Sequence, residues 1–140
     1  MRLKLMLSAL LLLGTAVGCQ IAARRFPPPP TIPAPSDVAS VHMTSIGSSL
    51  KHEYDVTLTK EPDIAALVDW LKQIDWSPSK ANDLSNVGLA EVGQITVTTK
   101  DGTTHSFGLS GGSIIVNRWE WRANTDKLAD IAKQAGAKIP

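Results

Sequence analysis

The sequence contains a single cysteine, Cys19, so the chain cannot close a disulfide bond within itself. Exported domains usually carry an even number of cysteines, because an oxidising compartment favours disulfides. Aromatic residues are also scarce, at 5% of the 140 residues. This length suits one domain of ordinary size. We therefore expect a single core without metal or disulfide support.

The chain has no marked excess of charge of either sign. Its 14 Lys and Arg residues nearly balance its 13 Asp and Glu residues, for a net charge of +1. Basic and acidic residues are interspersed from Ser36 onward, with 10 of the former and 13 of the latter. Binding to a nucleic-acid backbone relies on clustered Lys and Arg side chains. The sequence therefore predicts no nucleic-acid partner.

Short motifs that resemble catalytic ones occur without the structural setting that catalysis needs. The segment GLSGG at 108–112 has GxSxG spacing, but it lies between two predicted strands, whereas a nucleophile elbow joins a strand to a helix. SxxK spacing occurs at 48–51 and 77–80, in a predicted turn and a predicted loop. The three histidines, His42, His52 and His105, do not form an HxH or HExxH pattern. We therefore predict a protein that is not an enzyme and that holds no metal and no cofactor.

Hydrophobic residues are concentrated at the N-terminus. Arg2 and Lys4 precede an apolar stretch over residues 5–17. The end of this stretch, together with Gly18, consists of small residues at 14–18. As a helix this stretch would span about 20 Å, short of the roughly 30 Å hydrocarbon core of a bilayer. A basic start, a short apolar run and small residues are typical of a secretory signal peptide. We predict a signal peptide over residues 1–18.

The signal peptide ends in Ala16, Val17, Gly18 and Cys19, which together resemble the lipobox of bacterial lipoproteins. The resemblance implies cleavage between Gly18 and Cys19, transfer of diacylglycerol to the Cys19 sulfur, and acylation of the new N-terminus with a fatty acid such as palmitate. Ala16 departs from the leucine preferred at its position. Lipidation would also account for the lone exported thiol. The alternative is an ordinary signal peptide followed by an unmodified cysteine.

The same resemblance implies a location. A cysteine with two or three acyl chains is held stably in a membrane, because each buried CH₂ contributes about 0.8 kcal/mol. The chain would then be anchored in the bacterial cell envelope through Cys19. Gln20, in place of an aspartate after the cysteine, implies the periplasmic side of the outer membrane if the host has two membranes.

Residues 19–35 are predicted to be a lipidated N-terminus followed by a proline-rich linker. Six prolines lie between Pro27 and Pro35. Proline fixes φ and lacks an N–H group, so this run favours polyproline II, and nine residues would span about 28 Å at roughly 3.1 Å each. The linker would act as a spacer. The alternative is a ligand for a proline-recognition domain.

Residues 36–140 are predicted to form one α+β domain with the order ββαβββα. Alternating apolar residues indicate strands over residues 38–46 and 54–58. Helical spacing and Pro62 in the first turn indicate a helix over 61–74. A polar, irregular loop is predicted over residues 75–91.

Three further strands are predicted over residues 94–99, 104–109 and 113–121. Asp101 and Gly102 favour a type I′ turn between the first two, and Gly111 and Gly112 favour a second turn. A last helix is predicted to follow Asn124 or Thr125 and to end at Gly136. Each predicted helix is apolar on one side only, which favours an antiparallel sheet with both helices on one face.

The tryptophans of the last predicted strand are the candidate binding surface. Alternation would place Trp119 and Trp121 on one face with Ile115 and Asn117. On an open face the two indoles would offer a stacking platform for a sugar or an anchor for a protein. Under the helices they would belong to the core, with Trp70 and Trp76 as neighbours.

Together these features predict a membrane-anchored envelope lipoprotein whose domain binds an envelope protein or assists an assembly. The outer face of the sheet, the loop over residues 75–91, and Trp119 with Trp121 are its candidate contact surface. The alternative is a module that binds a glycan or another small ligand through Trp119 and Trp121.

Overall fold

The computed structural model describes residues 26–46, 52–86 and 91–139. The predicted signal peptide and Cys19 lie outside these residues. Within them, seven strands form one antiparallel sheet of order β2-β1-β4-β5-β6-β7-β3, accompanied by two α-helices. The predicted α+β class is confirmed. The elements are β1 (Val38–Ile46), β2 (Glu53–Leu58), α1 (Glu61–Lys72), β3 (Asn82–Asp83), β4 (Gly93–Thr99), β5 (Thr104–Ser110), β6 (Ser113–Val116), β7 (Trp119–Arg122) and α2 (Asp126–Gln134).

Helix α1 begins as its sequence predicts, with Pro62 in the first turn, where a missing N–H group has no cost. Its buried side chains recur every three or four residues and form one apolar stripe. The stripe consists of Ile64, Leu67, Val68 and Leu71, with Trp70 beside it. The helix therefore buries one side against the sheet and leaves the other in water.

Helix α2 ends at the glycine that the sequence indicates. Gly136 has a φ of 95°, a left-handed conformation that glycine adopts without steric cost. The amide of Gly136 donates to the carbonyl of Lys133 at 3.0 Å, and the amide of Ala137 donates to that of Ala132 at 2.9 Å. This pair of bonds is a Schellman motif. Thr125 occupies the N-cap position but makes no side-chain cap bond.

The two faces of the sheet differ in polarity. On β1 and β4, Val41, Met43, Ile95 and Val97 point to one face and are completely buried. The apolar stripes of both helices belong to the same core cluster. The alternate residues on these strands, such as His42 and Thr96, point to the other face, which is polar. Both helices therefore lie on one face of the sheet, as predicted.

The last predicted strand, 113–121, is wrong as a single strand. The chain reverses at Asn117 and Arg118, whose φ values are 49° and 68°. Val116 pairs with Trp119 across this turn. Two central residues with positive φ define a type I′ turn, which joins strands without splaying them. The structure therefore has a β6–β7 hairpin in this region.

The hairpin changes which residues share a face. Directly opposite residues lie on the same face of a sheet. Trp121 pairs with Ile114, whereas Ile115 pairs with Glu120. The expectation that Ile115 and Asn117 accompany the two indoles on one face is therefore wrong.

The β4–β5 turn also differs from the type I′ turn predicted for Asp101 and Gly102. Of these two residues only Gly102 has a positive φ, at 85°. The amide of Gly102 donates to the carbonyl of Thr99 at 2.9 Å, and the amide of Thr99 donates to that of Thr103 at 2.9 Å. The loop thus has three residues, 100–102, with the left-handed residue last.

The loop predicted over residues 75–91 contains short regular elements. A 3₁₀ turn, Pro78–Lys80, precedes strand β3. Strand β3 pairs with β7 through Asn82 and Glu120, and through Asp83 and Trp119. The segment after α1 thereby forms one edge of the sheet.

The N-terminal boundary of the domain lies before Ser36. Ile32 packs against the core cluster, and Pro33 is buried. The carbonyl of Asp37 then accepts a hydrogen bond from the amide of Lys100 at 2.8 Å. The C-terminal part of the predicted proline-rich linker is therefore held by the domain.

Replacing Arg118 tests the left-handed turn. We expect Arg118→Gly to have a free energy of unfolding higher than Arg118→Ala by about 1 kcal/mol, because only glycine adopts positive φ freely. Both variants lose the bond from Arg118 Nη2 to the Ser85 carbonyl, so the comparison isolates the backbone effect. Urea denaturation measures both values, and equal stability of the two variants would contradict the turn.

Candidate functional site

Trp121 lies in the core. Its side chain is 1% exposed on the helix-covered face of the sheet. The ring of Trp76 meets it in a T-shaped arrangement, with centroids 5.2 Å apart and an angle of 66° between the planes. Such pairs contribute about 0.5–1.5 kcal/mol beyond the area they bury. Of the two interpretations of Trp121, the core interpretation describes the structure.

Trp76 connects the end of helix α1 to the sheet. Its Nε1 donates to the carbonyl of Leu71 at 2.9 Å, which fixes the indole against the last turn of the helix. Its ring also lies 6.4 Å from that of Phe107. Trp76, Trp121 and Phe107 therefore form an aromatic cluster that joins α1, β5 and β7.

The indole N–H groups differ in their partners. The Nε1 of Trp70 donates to the carbonyl of Asn124 at 2.9 Å, which links α1 to the segment before α2. The Nε1 of Trp121 is buried and has no hydrogen-bond partner in the part of the chain that the structure describes. A buried donor without a partner typically costs about 1–3 kcal/mol. The aromatic cluster thus tolerates an unsatisfied polar group at its centre.

Trp119 lies on the same face of the sheet as Trp121, at the margin of the core, whereas Asn117 lies in the turn. Trp119 is partly buried and packs against the core cluster. Asn117 is exposed in the β6–β7 turn and lines a cavity of about 250 Å³ together with Pro30, Thr31 and His105. The three predicted binding residues therefore lie in three environments: the core, its margin and an exposed turn.

A second cavity, of about 350 Å³, opens beside the β4–β5 turn. Pro33, Asp37, Lys100, Asp101 and His105 contribute to its lining. The Asp101 carboxylate accepts hydrogen bonds from the Thr99 hydroxyl and from the Thr103 amide at 2.9 Å. These bonds, that from Thr99 above all, lower the pKa of Asp101. Through Oδ1 its carboxylate closes the turn.

The three histidines do not come together. His42 lies on the polar face, where its Nε2 is 2.8 Å from Asp55 Oδ1, and both side chains are exposed. His105 lies on the opposite face, since it pairs with Val97. The carbonyl of His52 accepts a bond from Ser45 Oγ at 2.7 Å. In residues 26–46, 52–86 and 91–139, no group of three His, Cys, Asp or Glu side chains could hold a metal ion.

The polar face of the sheet lies opposite the two helices. It carries Thr44 on β1, Gln94 and Thr96 on β4, and Thr104 and Ser106 on β5, all exposed or partly exposed. On β2 it also carries two exposed carboxylates, Glu53 and Asp55. The face can therefore contact a partner through hydrogen bonds, with negative charge along its β2 edge.

One margin of this face is covered. A Cβ atom on Gly108 would meet the carboxyl carbon of Glu91 at 2.7 Å, so the side chain of Glu91 lies over the bare backbone there. Ile115, which pairs with Gly108, is only 5% exposed. The accessible part of the polar face is therefore the part formed by β2, β1, β4 and the first half of β5.

The chain was compared with protein-family models, with curated proteins and with solved structures, and none of the three comparisons found a match.

The sequence predicted the outer face of the sheet as a candidate surface but did not specify its residues. The residues between the apolar positions of β1 and β4 include Ser, Thr, His and Gln. In antiparallel sheets such alternation marks a solvated face. Hydroxyl side chains by themselves do not identify a binding surface, because they are common on strands whether or not they bind anything.

A pair of conservative replacements tests the different environments of the indoles. We expect Trp70→Phe to lower the free energy of unfolding more than Trp121→Phe, by about 1 kcal/mol. The first variant loses the bond to Asn124, whereas the second removes a donor that has no partner. The two changes delete the same atoms from side chains that are 4% and 1% exposed, so each controls for the other. A larger loss of stability in Trp121→Phe would contradict the assignment of a hydrogen bond to the indole of Trp70 and of none to that of Trp121.

Proposed function

We propose that this protein is a membrane-anchored lipoprotein of the bacterial cell envelope, not an enzyme, and that its domain contacts another envelope protein. The observation that carries the anchor is the order of features in the first 19 residues. Arg2 and Lys4 precede a short apolar run, and Ala16 to Cys19 follow with the only cysteine of the chain. Each feature alone is common, but their combination is typical of lipoprotein precursors.

The physical requirements of such an anchor support the proposal. Two or three acyl chains on Cys19 supply stable attachment without a transmembrane helix. Among the described residues, neither helix is long and apolar enough to cross a bilayer. Attachment through Cys19 would leave the domain in the aqueous compartment beside the membrane.

The choice of a protein partner over a glycan rests on the tryptophans. A glycan platform of two stacked indoles needs both rings accessible. Trp121 is 1% exposed and belongs to the aromatic cluster with Trp76 and Phe107. The open polar face suits hydrogen bonds to a protein surface better than the enclosure of a small ligand, because it forms no enclosed cavity.

Replacing the cysteine tests the anchor. In the full-length precursor, Cys19→Ala should remove the added mass of the acyl chains and block cleavage by the lipoprotein pathway. No lipidated form of the protein should then be found in the membrane fraction. Gln20→Ala is the matched control, because it leaves the cysteine in place and should keep the acyl mass. Intact mass spectrometry and membrane fractionation give the result. A wild-type mass that differs from that of Cys19→Ala only by the sulfur atom of the replaced side chain, with the same fractionation for both, would disprove the anchor.

Site-specific crosslinking tests the partner surface. A photoreactive residue at Gln94, on the polar face, should form a crosslink to one envelope protein in intact cells. The same residue at Lys133, on the exposed side of α2, is the control and should not form that adduct. An adduct of equal yield from both positions, or from Lys133 alone, would reject the polar face as the contact surface.

A further inference from the structure

Strand β2 forms an open edge of the sheet. It pairs with β1 through all six of its residues, without a bulge, and stands first in the order of strands. None of the other described strands pairs with its outer side. The opposite edge is β3, which has only two residues, Asn82 and Asp83. Short edge strands offer few backbone groups to another chain, so β2 is the edge that suits a further strand.

The register shows which backbone groups of β2 face outward. In an antiparallel sheet a residue directs its N–H and its C=O to the same neighbouring strand, and successive residues alternate between neighbours. The amide of Ile46 donates to the carbonyl of Val92, at the start of β4, so the even residues of β1 bond toward β4. The odd residues of β1 bond toward β2 and stand opposite its even residues. The N–H and C=O groups of Glu53, Asp55 and Thr57 therefore face outward.

The same residues give this edge its charge. Glu53, Asp55 and Thr57 are exposed, and their side chains lie on the polar face. The six residues of β2 include two carboxylates and no basic side chain. Asp55 Oδ1 lies 2.8 Å from Nε2 of His42, which is exposed as well. Outward backbone groups and negative charge therefore coincide along one edge of the sheet.

The helix-covered side of β2 adds an apolar position. Val56 packs against the core cluster but is only partly buried, whereas Tyr54 and Leu58 on either side of it are buried. An apolar side chain on an added strand would cover the rest of Val56. Neighbouring residues on paired strands share a face of the sheet. A strand that fits this edge therefore alternates basic side chains, beside Glu53 and Asp55, with apolar ones on the helix-covered side.

A second copy of the chain suits the edge less well. Pairing of two β2 strands would gather the carboxylates of both copies along one seam, and like charges on facing strands are destabilising. A segment that carries Lys or Arg brings the opposite charge to the same positions. The charge of the edge therefore favours a different protein over self-association.

On the basis of the proposed contact with an envelope protein, we propose that β2 receives an extended segment of that protein as an added strand. The segment carries basic side chains at alternate positions, with apolar residues between them. Its main chain bonds to the outward groups of Glu53, Asp55 and Thr57, which supplies affinity. Its basic side chains meet the two carboxylates, which supplies selectivity.

Hydrogen exchange, measured for each amide by NMR on the purified full-length protein, tests the added strand. The probe is a short peptide of alternating lysine and valine. It should slow exchange at the amides of Glu53, Asp55 and Thr57 and leave those of Tyr54 and Val56, which already bond to β1, unchanged. Absence of this protection would overturn the proposal.

Two control peptides separate strand pairing from attraction by charge. The first has glutamate in place of every lysine, and the second has proline in place of every valine, which keeps the charge but interrupts the ladder. Neither should slow exchange at the outward amides. Protection by either control equal to that by the probe would overturn the proposal. The double variant Glu53→Gln, Asp55→Asn should lose the preference for the probe over the glutamate peptide, and an unchanged preference would reject the two carboxylates as its source.

Replacing Thr57 tests the outward backbone without changing the charge. Thr57→Pro removes one outward N–H group, and proline is tolerated on edge strands where that group faces solvent. Thr57→Val is the matched control, because it also lacks the hydroxyl but keeps the N–H. Affinity for the probe should be lower in Thr57→Pro by about tenfold, since the added strand loses a main-chain hydrogen bond and meets the proline ring. Unchanged exchange at Tyr54 and Val56 shows that the fold is retained, and equal affinities would then overturn the proposal.

The same variants distinguish failure of the edge from failure of the proposed function. In intact cells, Thr57→Pro should remove the adduct that a photoreactive residue at Gln94 forms, and Thr57→Val should keep it. An adduct that persists in Thr57→Pro would overturn the added strand and leave the envelope partner in place. Absence of any adduct from Gln94 in the otherwise unchanged protein would instead reject the proposed contact, and with it the segment bound to β2.

Discussion

Burial of one face of the sheet by two helices is the constraint on which the rest of the molecule depends. The aliphatic residues of β1 and β4 and the stripes of α1 and α2 form one core cluster. The aromatic contacts of Trp76 with Trp121 and Phe107 attach the end of α1 to strands that are distant in the chain. With no disulfide available, this cluster has to provide most of the stability. It also assigns every alternate strand residue to the open face.

Residues 30–37, here called the strap, show how the same burial reaches beyond the regular elements. The proline-rich run was predicted to be a polyproline II spacer, since proline fixes φ and lacks an N–H group. Ile32 and Pro33 nevertheless pack on the domain, because a proline ring is an apolar surface that needs no hydrogen-bond partner. The segment that precedes β1 is therefore part of the folded domain.

The sequence predicted the elements that have a strong periodic pattern. Helix α1 and strands β1, β4 and β5 lie within two residues of the predicted bounds, because their apolar residues repeat with one period. The β6–β7 turn was missed because it contains no glycine. The core-facing side chains fall on even positions in β6, Ile114 and Val116, and on odd positions in β7, Trp119 and Trp121. The sequence does not show this change of phase, because Ile115 between them is apolar and buried as well.

What the sequence determined by itself is local: the positions of helices and most strands, the Schellman end at Gly136, and the division of the sheet into an apolar and a polar face. These follow from periods of two and 3.6 residues and from the steric freedom of glycine. Only the tertiary structure decided that Trp121 is core while Asn117 is exposed, that the histidines lie apart, and that the strap is docked. Each of these depends on contacts between residues far apart in the chain, and their pairing is set by how the strands and helices pack together.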